Sequence, residues 1–290
     1  TEIYTNAESS AASDVYKRQA RRRFHLVSRG VGRQILPQPG LVQARSSSCL
    51  CLHACGYTRS QIGALVVKVL IVILISYASA GLAQLALILA YRSPAAQQYM
   101  ISDDPHRSVT DRELYYRVAL NITVSVTLIF SVMFGLGEYL YYDHPVPAWR
   151  YPLEAFTVIL IYDFGYYFMH RYPFHEWKML RGVHSIHHAA RNPRFIDSLL
   201  LHPVETVLGL SLFFGTVALV GGVHIYTLAV MFTTYTAFMI LNHAGVDYPR
   251  FPFKTLGVLA AKHDRHHHSM LSGNYAAVTP LPDIIFGTVE

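Results

Sequence analysis

Two short stretches concentrate the side chains able to do chemistry. "HSIHH" (184–188) holds three histidines in five positions and "HDRHHH" (263–268) holds four in six, and twelve of the sixteen histidines lie between positions 170 and 268. On a helix His184, His187 and His188 stand at i, i+3 and i+4, within about 100° of arc, so their imidazoles can converge on one centre or on two adjacent ones. Three imidazolium cations so close would repel one another, whereas neutral imidazoles can share a bound cation, so the spacing points to a metal. The second stretch reads in two ways. Either His263, His266 and His267 share one helical face, or His267 and His268 form the adjacent pair and His266 is spare. His170 and His175 are separated by "RYPF", and Pro173 is expected to break the helix between them so that both rings can turn to one site. A structural zinc takes four ligands; eight or more histidines suit a dinuclear site, and an all-imidazole set accommodates iron as well as zinc. Iron adds redox chemistry, and beside a lipid its use would be O2 activation and attack on an unactivated C–H bond, which no side chain performs alone. The isolated His25, His53, His106, His144 and His224 read as surface or interface residues.

Such a site needs a scaffold, and the apolar runs supply one. Residues 61–91 carry a single charge, Lys68, and are long enough to cross a hydrocarbon core of about 30 Å. Residues 115–142 form a second run with Tyr-rich ends, and 153–172 a third, interrupted by Asp163, His170 and Arg171. Residues 198–222 and 223–245 form two more, joined by a Gly-Gly turn, and make a helical hairpin. A hairpin returns the chain to the side it left, so both histidine clusters share one face of the membrane. The excess of Lys and Arg beside those clusters assigns that face to the cytoplasm. The expected fold is therefore all-α, a multi-pass transmembrane bundle of four to five spans with a cytoplasmic His-rich di-metal cap. Counting one crossing per run puts the Arg-rich N-terminus on the far side. Three resolutions stay open: 61–91 crosses twice, the run from 153 lies along the interface, or the N-terminal arm is not authentic.

Composition narrows the class. The chain is 52% hydrophobic and 14% charged, against about a quarter charged in ordinary soluble domains. Its net charge of +6 sits in short runs flanking apolar segments, which argues for topology signals and against a nucleic-acid partner. Residues 1–60 show no sustained period and read as a disordered arm; within it "SSAASDVYKRQ" looks like a translated adapter sequence, so at least the first 20 residues are set aside. Cys49, Cys51 and Cys55 fall in this arm, with His53 the one nearby candidate for a fourth metal ligand; an unstructured or lipidated stretch is favoured. The expected division is an arm (1–60), an N-terminal transmembrane region (61–150) and a catalytic domain (151–290). The last residues, "FGTVE", leave room for a truncated C-terminus.

At these residues the sequence resembles the fatty acid hydroxylase superfamily of membrane di-iron oxygenases, which includes sterol desaturases, sterol C-4 methyl oxidases and lipid hydroxylases. The likeness covers roughly residues 150–290. It rests on "DFGYYFMHRYPFH" (163–175), "HSIHH", "LHPVET" (201–206), "NHAG" (242–245) and "KHDRHHHSMLSGNYAAVTPLPDIIFGT" (262–288), in the family's order. The resemblance implies two iron ions, with zinc conceivable in isolated material, held by His170, His175, His184, His187, His188, His243, His263 and His267, with His266 or His268 completing the last triad. Counting back from "NY" (274–275) favours His267 and His268 as the pair and leaves Asp264 where a histidine belongs. His202 is either a further ligand, a donor held by Glu205, or a helix-start cap. Asp163, seven residues before His170, is expected either to accept the His170 N–H or to cap an interfacial turn. With Glu205, Asn242 and Asp264 it completes the polar residues expected behind the ligands. Gly273, Asn274 and Tyr275 read as a turn closing the last motif.

The implied reaction is O2-dependent hydroxylation or desaturation of a lipid, sterol-like first, with fatty-acyl, sphingolipid or carotenoid hydroxylases and an aldehyde-forming wax enzyme as alternatives within the superfamily. With no Gly-rich dinucleotide fingerprint and no "HPGG" haem motif, no bound nucleotide cofactor is expected. Electrons then come from a separate protein, cytochrome b5 or ferredoxin with its reductase. A non-enzymatic metal-binding protein or transporter is the distant alternative, and a zinc hydrolase would need a glutamate base beside its ligands, as in H-E-x-x-H, which is missing. The expected location is the endoplasmic reticulum in a eukaryote or the inner membrane in a bacterium.

Overall fold

The computed structural model describes residues 59–102, 105–248, 250 and 253–290. The N-terminal arm with Cys49, Cys51, Cys55, His25 and His53 lies outside the described residues.

Five long helices carry the described chain: α1 (Arg59–Arg92), α2 (Asp111–Gly135), α3 (Arg150–Met169), α5 (Pro203–Leu219) and α6 (Ile225–Asn242). Between and after them come the shorter α4 (Lys178–His184), α7 (Lys254–His267) and α8 (Leu281–Ile285). Local chemistry sets the starts. Thr110 Oγ1 accepts the Glu113 N–H, with Asp111 and Glu113 in the first turn of α2, satisfying one orphan donor and opposing the helix dipole. Pro203 opens α5 behind an N-cap at His202, whose Nδ1 accepts from Val204 N.

Successive long helices alternate in direction between two ends. At the histidine end, Tyr91 of α1 donates its OH to the Ala244 carbonyl, and Leu114 and Val118 of α2 pack with Ala190 and Leu200. At the far end, Lys68 pairs with Asp143 at 2.5 Å, and a two-residue parallel ladder matches Tyr141 to Val223 and Tyr142 to His224. Gly221 and Gly222 make the tight turn there with φ of 86° and 81°, a backbone that side chains oppose; a Cβ on Gly222 would also stand 3.2 Å from the Tyr139 carbonyl. The hairpin expected around these glycines is thus formed. Glu154 ties the far end together. Its Oε2 accepts the His224 N–H and the Thr227 hydroxyl, while Oε1 faces Arg150 and Tyr142.

Two expectations change here. The segment 61–91 is one uninterrupted helix and so does not cross twice. His224, expected at a surface or interface, is 3% exposed, and its Nδ1 caps α6 by accepting from Tyr226 N. His106 and His144 are exposed as expected.

The core joins Val69 and Ile73 of α1 to Val158 of α3, Phe213 and Val217 of α5, and Leu228 and Met231 of α6. Its outer surface is also apolar. Leu74 is 68% exposed, Leu82 67% and Val230 65%, a pattern suited to lipid and unfavourable in water. Three helices are long and apolar enough to cross a membrane, Gly63–Arg92, Asp111–Gly135 and Ile225–Asn242; α5 is apolar but 17 residues long. Where four to five spans are expected from sequence, three helices meet both criteria among the described residues.

Candidate metal centre

Nine buried or nearly buried histidines gather at one end of the bundle in two groups: His170, His175, His184, His188 and His266, and His187, His243, His263 and His267. Within each group the ligand atoms lie within 4.8 Å of one another. Each element reaches its group by a distinct local device.

His170 and His175 do not sit across a helix break. The chain continues from α3 as a π-helical turn, His170–Glu176, with Pro173 inside it. The Trp177 N–H reaches the Tyr172 carbonyl at 3.0 Å, an i to i+5 bond. In this wider helix five residues make roughly one turn, so the two rings stack toward one point. The break expected at Pro173 is therefore replaced by a widening, which carries the main-chain bonding past the proline.

His184 ends α4, and His187 and His188 follow on a turn of 3-10 helix. The change of helix type sends His184 and His188 to the first group and His187 to the second. On α7 the division is reversed, with His263 and His267 in the second group and His266 in the first. At about 100° per residue, His266 and His267 flank the direction of His263 at roughly −60° and +40°, whereas His268 points about 140° away. Accordingly His268 is half-exposed, with its Nε2 near Asn192 and Asp264. The pairing of His267 with His268, favoured by counting back from Asn274, is not what the helix forms. His243 arrives from the C-cap of α6.

The hydrogen bonding behind the rings fixes their chemistry. The Nδ1–H of His170 donates to the Tyr275 carbonyl at 2.7 Å, that of His175 to Met270 at 2.8 Å, and that of His266 to Gly273 at 2.7 Å. In the same way His187 uses Leu200, His243 uses Met239 and His267 uses Ala190. His184 donates instead to Glu205 Oε1, at 2.7 Å. Carbonyl oxygens only accept, so Nδ1 carries the proton and Nε2 presents a bare lone pair.

All nine Nε2 atoms face inward, at 3.0 Å for His170–His184, 3.1 Å for His188–His266, 3.0 Å for His187–His243 and 2.8 Å for His243–His263. Lone pairs facing at such distances repel unless a cation stands among them. Two imidazoles at right angles around one ion, each ~2.1 Å from it, would be about 3.0 Å apart. The residues therefore fit a metal in each group, and the two groups abut, with the His188 and His267 rings stacked at 4.9 Å. Burial also holds the rings neutral. It pushes His184, His187, His188, His263 and His267 well below the usual histidine range, His175 down to about 4 and His266 to about 3, with neighbouring histidines adding to the effect for several of them.

Of the other residues expected behind or among the ligands, Glu205 stands behind His184 and the rest are placed elsewhere. His202 joins neither group, because its Nδ1 is occupied in capping α5. Glu205, one turn along, serves His184 and not His202. Asp163 does not meet His170. Its carboxylate accepts from the Val278 and Thr279 N–H groups and the Thr279 hydroxyl, anchoring the loop that follows the last histidines. Asn242 Nδ2 ties the end of α6 to the Ala277 carbonyl in that same loop. Asp264 is buried and turned toward His268.

Sequence reasoning missed what this loop does. Asn274 takes a φ of 60°, which aims the flanking carbonyls of Gly273 and Tyr275 at His266 and His170. Gly273 is required by space, since a Cβ there would collide with the Thr288 carbonyl. Asp283, fully buried, fixes the other side. It accepts from the N–H groups of Tyr275 (2.8 Å) and Ala276 (3.2 Å), the Thr288 hydroxyl (2.8 Å) and Lys262 Nζ (3.1 Å). The motif "FGT" was a visible signal that this tail matters, but not why.

A cavity of about 320 Å³ runs from the second histidine group into the bundle, reaching His187 and Glu205 at one end and Ser76, Gly81 and Ile129 farther along. Its walls are chiefly apolar.

An apolar helical bundle with paired, buried histidine clusters at one end defines a class of membrane-associated metal-binding protein, and comparison with known proteins narrows it. A family model described as fatty acid hydroxylase matches residues 155–288. Methylsterol monooxygenase 2-2 of Arabidopsis thaliana is 30% identical over 210 residues, 68% of this chain and 70% of that protein. The chain belongs to the fatty acid hydroxylase family. A very-long-chain aldehyde decarbonylase of Oryza sativa subsp. indica is 30% identical over 187 residues, and Methylsterol monooxygenase 1 of Rattus norvegicus 32% over 146. These alignments take in 61% and 49% of this chain, and the chain spans 66% of the rice protein's length and 49% of the rat protein's. No solved structure matches.

Proposed function

We propose that this protein is a membrane-bound non-haem di-iron oxygenase that hydroxylates or desaturates a lipid, with sterol-like substrates first. The observation that carries this reading is the convergence of nine Nε2 atoms on two adjoining points, with an apolar cavity ending on one of the same rings, His187. His170, His175, His184, His188 and His266 would hold one iron, and His187, His243, His263 and His267 the other. Iron bound there supplies O2 activation and C–H oxidation. The chain's own residues orient the rings through Nδ1, keep them neutral by burial, and present the lipid along the α1, α5 and α6 walls away from water. The metal end faces the cytoplasm in this reading, where a separate electron donor, cytochrome b5 or ferredoxin with its reductase, delivers reducing equivalents.

The test is purification with metal quantification, then incubation with O2, a reductant and a panel of sterols, acyl lipids and long-chain aldehydes. A product 16 mass units heavier identifies hydroxylation and one 2 lighter identifies desaturation. Fewer than two metals per chain at saturation, or full activity after His187→Ala, would sink the proposal.

A further inference from the structure

Among the histidines whose Nδ1 partner is described above, His184 alone backs onto a carboxylate. Glu205 Oε1 accepts the His184 N–H at 2.7 Å, while Oε2 has no hydrogen-bond partner, and the side chain is 8% exposed. Glu205 lines the cavity together with His187. Four hydroxyls on the cavity wall are committed within the protein. Ser198 donates to the Phe195 carbonyl, Thr236 to the Phe232 carbonyl, Ser76 to the Val72 carbonyl and Thr206 to Asn121 Oδ1. A buried acceptor with no donor is unfavourable, and a ligand that brings an O–H relieves it where a hydrocarbon, ether or ketone does not.

We infer that Glu205 is a specificity-determining residue whose Oε2 accepts a hydrogen bond from a hydroxyl on the lipid in this cavity. The inference rests on the reading of the cavity as the lipid site. It also sets position. The carboxylate has one oxygen on a ring of the first histidine group, and the cavity ends on His187 of the second, so a hydroxyl held by Oε2 places its neighbouring carbons beside both groups. The oxidised carbon then lies within a few bonds of the hydroxyl-bearing one.

The experiment is equilibrium binding to the iron-loaded full chain of three ligands differing at one atom group: a sterol with a free ring hydroxyl, its methyl ether and its ketone. The wild-type protein should bind the hydroxyl form roughly 10- to 100-fold more tightly than either analogue, the range expected when a buried acceptor is left without a donor. In Glu205→Gln an amide N–H2 can replace the open acceptor, so the preference should shrink to within about threefold and the ketone should gain. Iron per chain, measured alongside, reports whether His184 is still held. If this variant fails to fold, the three-ligand comparison on the wild type decides alone. Equal binding of the three ligands, or an undiminished preference in Glu205→Gln, overturns the inference. If the Glu205-dependent preference is seen but no lipid is oxidised, the oxygenase reading fails and this one stands; oxidation without the preference gives the reverse.

Discussion

Asp283→Ala tests whether the loop behind the rings governs the metal centre. The substitution removes the acceptor of four hydrogen bonds, from Tyr275 N, Ala276 N, Thr288 Oγ1 and Lys262 Nζ, and leaves an ammonium 13% exposed beside an empty position. Breaking one side of a buried ion pair costs about 3–5 kcal/mol. For a chain of this size that is on the order of 10 °C in the unfolding midpoint. The second effect is on the rings. Tyr275 and Gly273 lose the fixed turn that aims their carbonyls at His170 and His266, and disturbed partners of this kind weaken metal binding by roughly 10- to 100-fold. Thermal unfolding with iron bound and after chelation separates the two, since the fold term appears in both states and the metal term in one. Adding Lys262→Met should recover part of the fold term by removing the orphaned charge, and none of the metal term. An unfolding midpoint and iron content unchanged by Asp283→Ala would refute the reasoning.

Three further outcomes follow from the same geometry. His266→Ala should lower bound iron, whereas His268→Ala, on a half-exposed ring outside both groups, should leave metal content within error of wild type; the opposite pattern would restore the pairing of His267 with His268. In the metal-free protein, His175 and His266 titrate near 4 and 3 when folded and near ~6.5 when unfolded, so the unfolded chain takes up protons first as pH falls. Stability is then full above about pH 6.5 and declines between 6.5 and 4 by up to roughly 1.4 kcal/mol per pH unit for each ring; an unfolding midpoint that stays flat from pH 7 to 4.5 contradicts this. Gly209→Leu should leave iron content intact and weaken binding of bulky lipids more than tenfold, because a Cβ there meets nothing closer than Tyr235 OH at 3.9 Å and the added side chain projects from the cavity wall. Unimpaired binding of the largest lipids would show that they do not occupy this cavity.

The ligand candidates were legible because they are side chains in a repeated spacing, but spacing left two sets open in the last cluster, and the helix chooses His263, His266 and His267 over the pair His267 and His268. The rings' partners were not legible, because most are carbonyls, and any residue type carries one. Asp163 illustrates a second limit. Its seven-residue offset from His170 does place it on a common face, yet the nearby loop offers N–H groups at Val278 and Thr279 that no spacing rule anticipates. Pro173 was read by its usual effect in an α-helix, which does not govern a π-helical turn. Apolar runs marked every long helix, but α3 and α5 show that a run can build the bundle without having the length and composition of a full span.

The crosswise sharing of the two H-x2-HH motifs has a bearing on assembly. Each motif gives two rings to one group and one ring to the other, in opposite senses. Neither site can be completed from a single segment, and whatever orders the 184–188 turn and the end of α7 for one ion leaves the remaining rings poised for its neighbour. Uptake of the two ions should therefore be strongly cooperative: partly loaded protein would be a scarce species, and a chelator would empty the pair together.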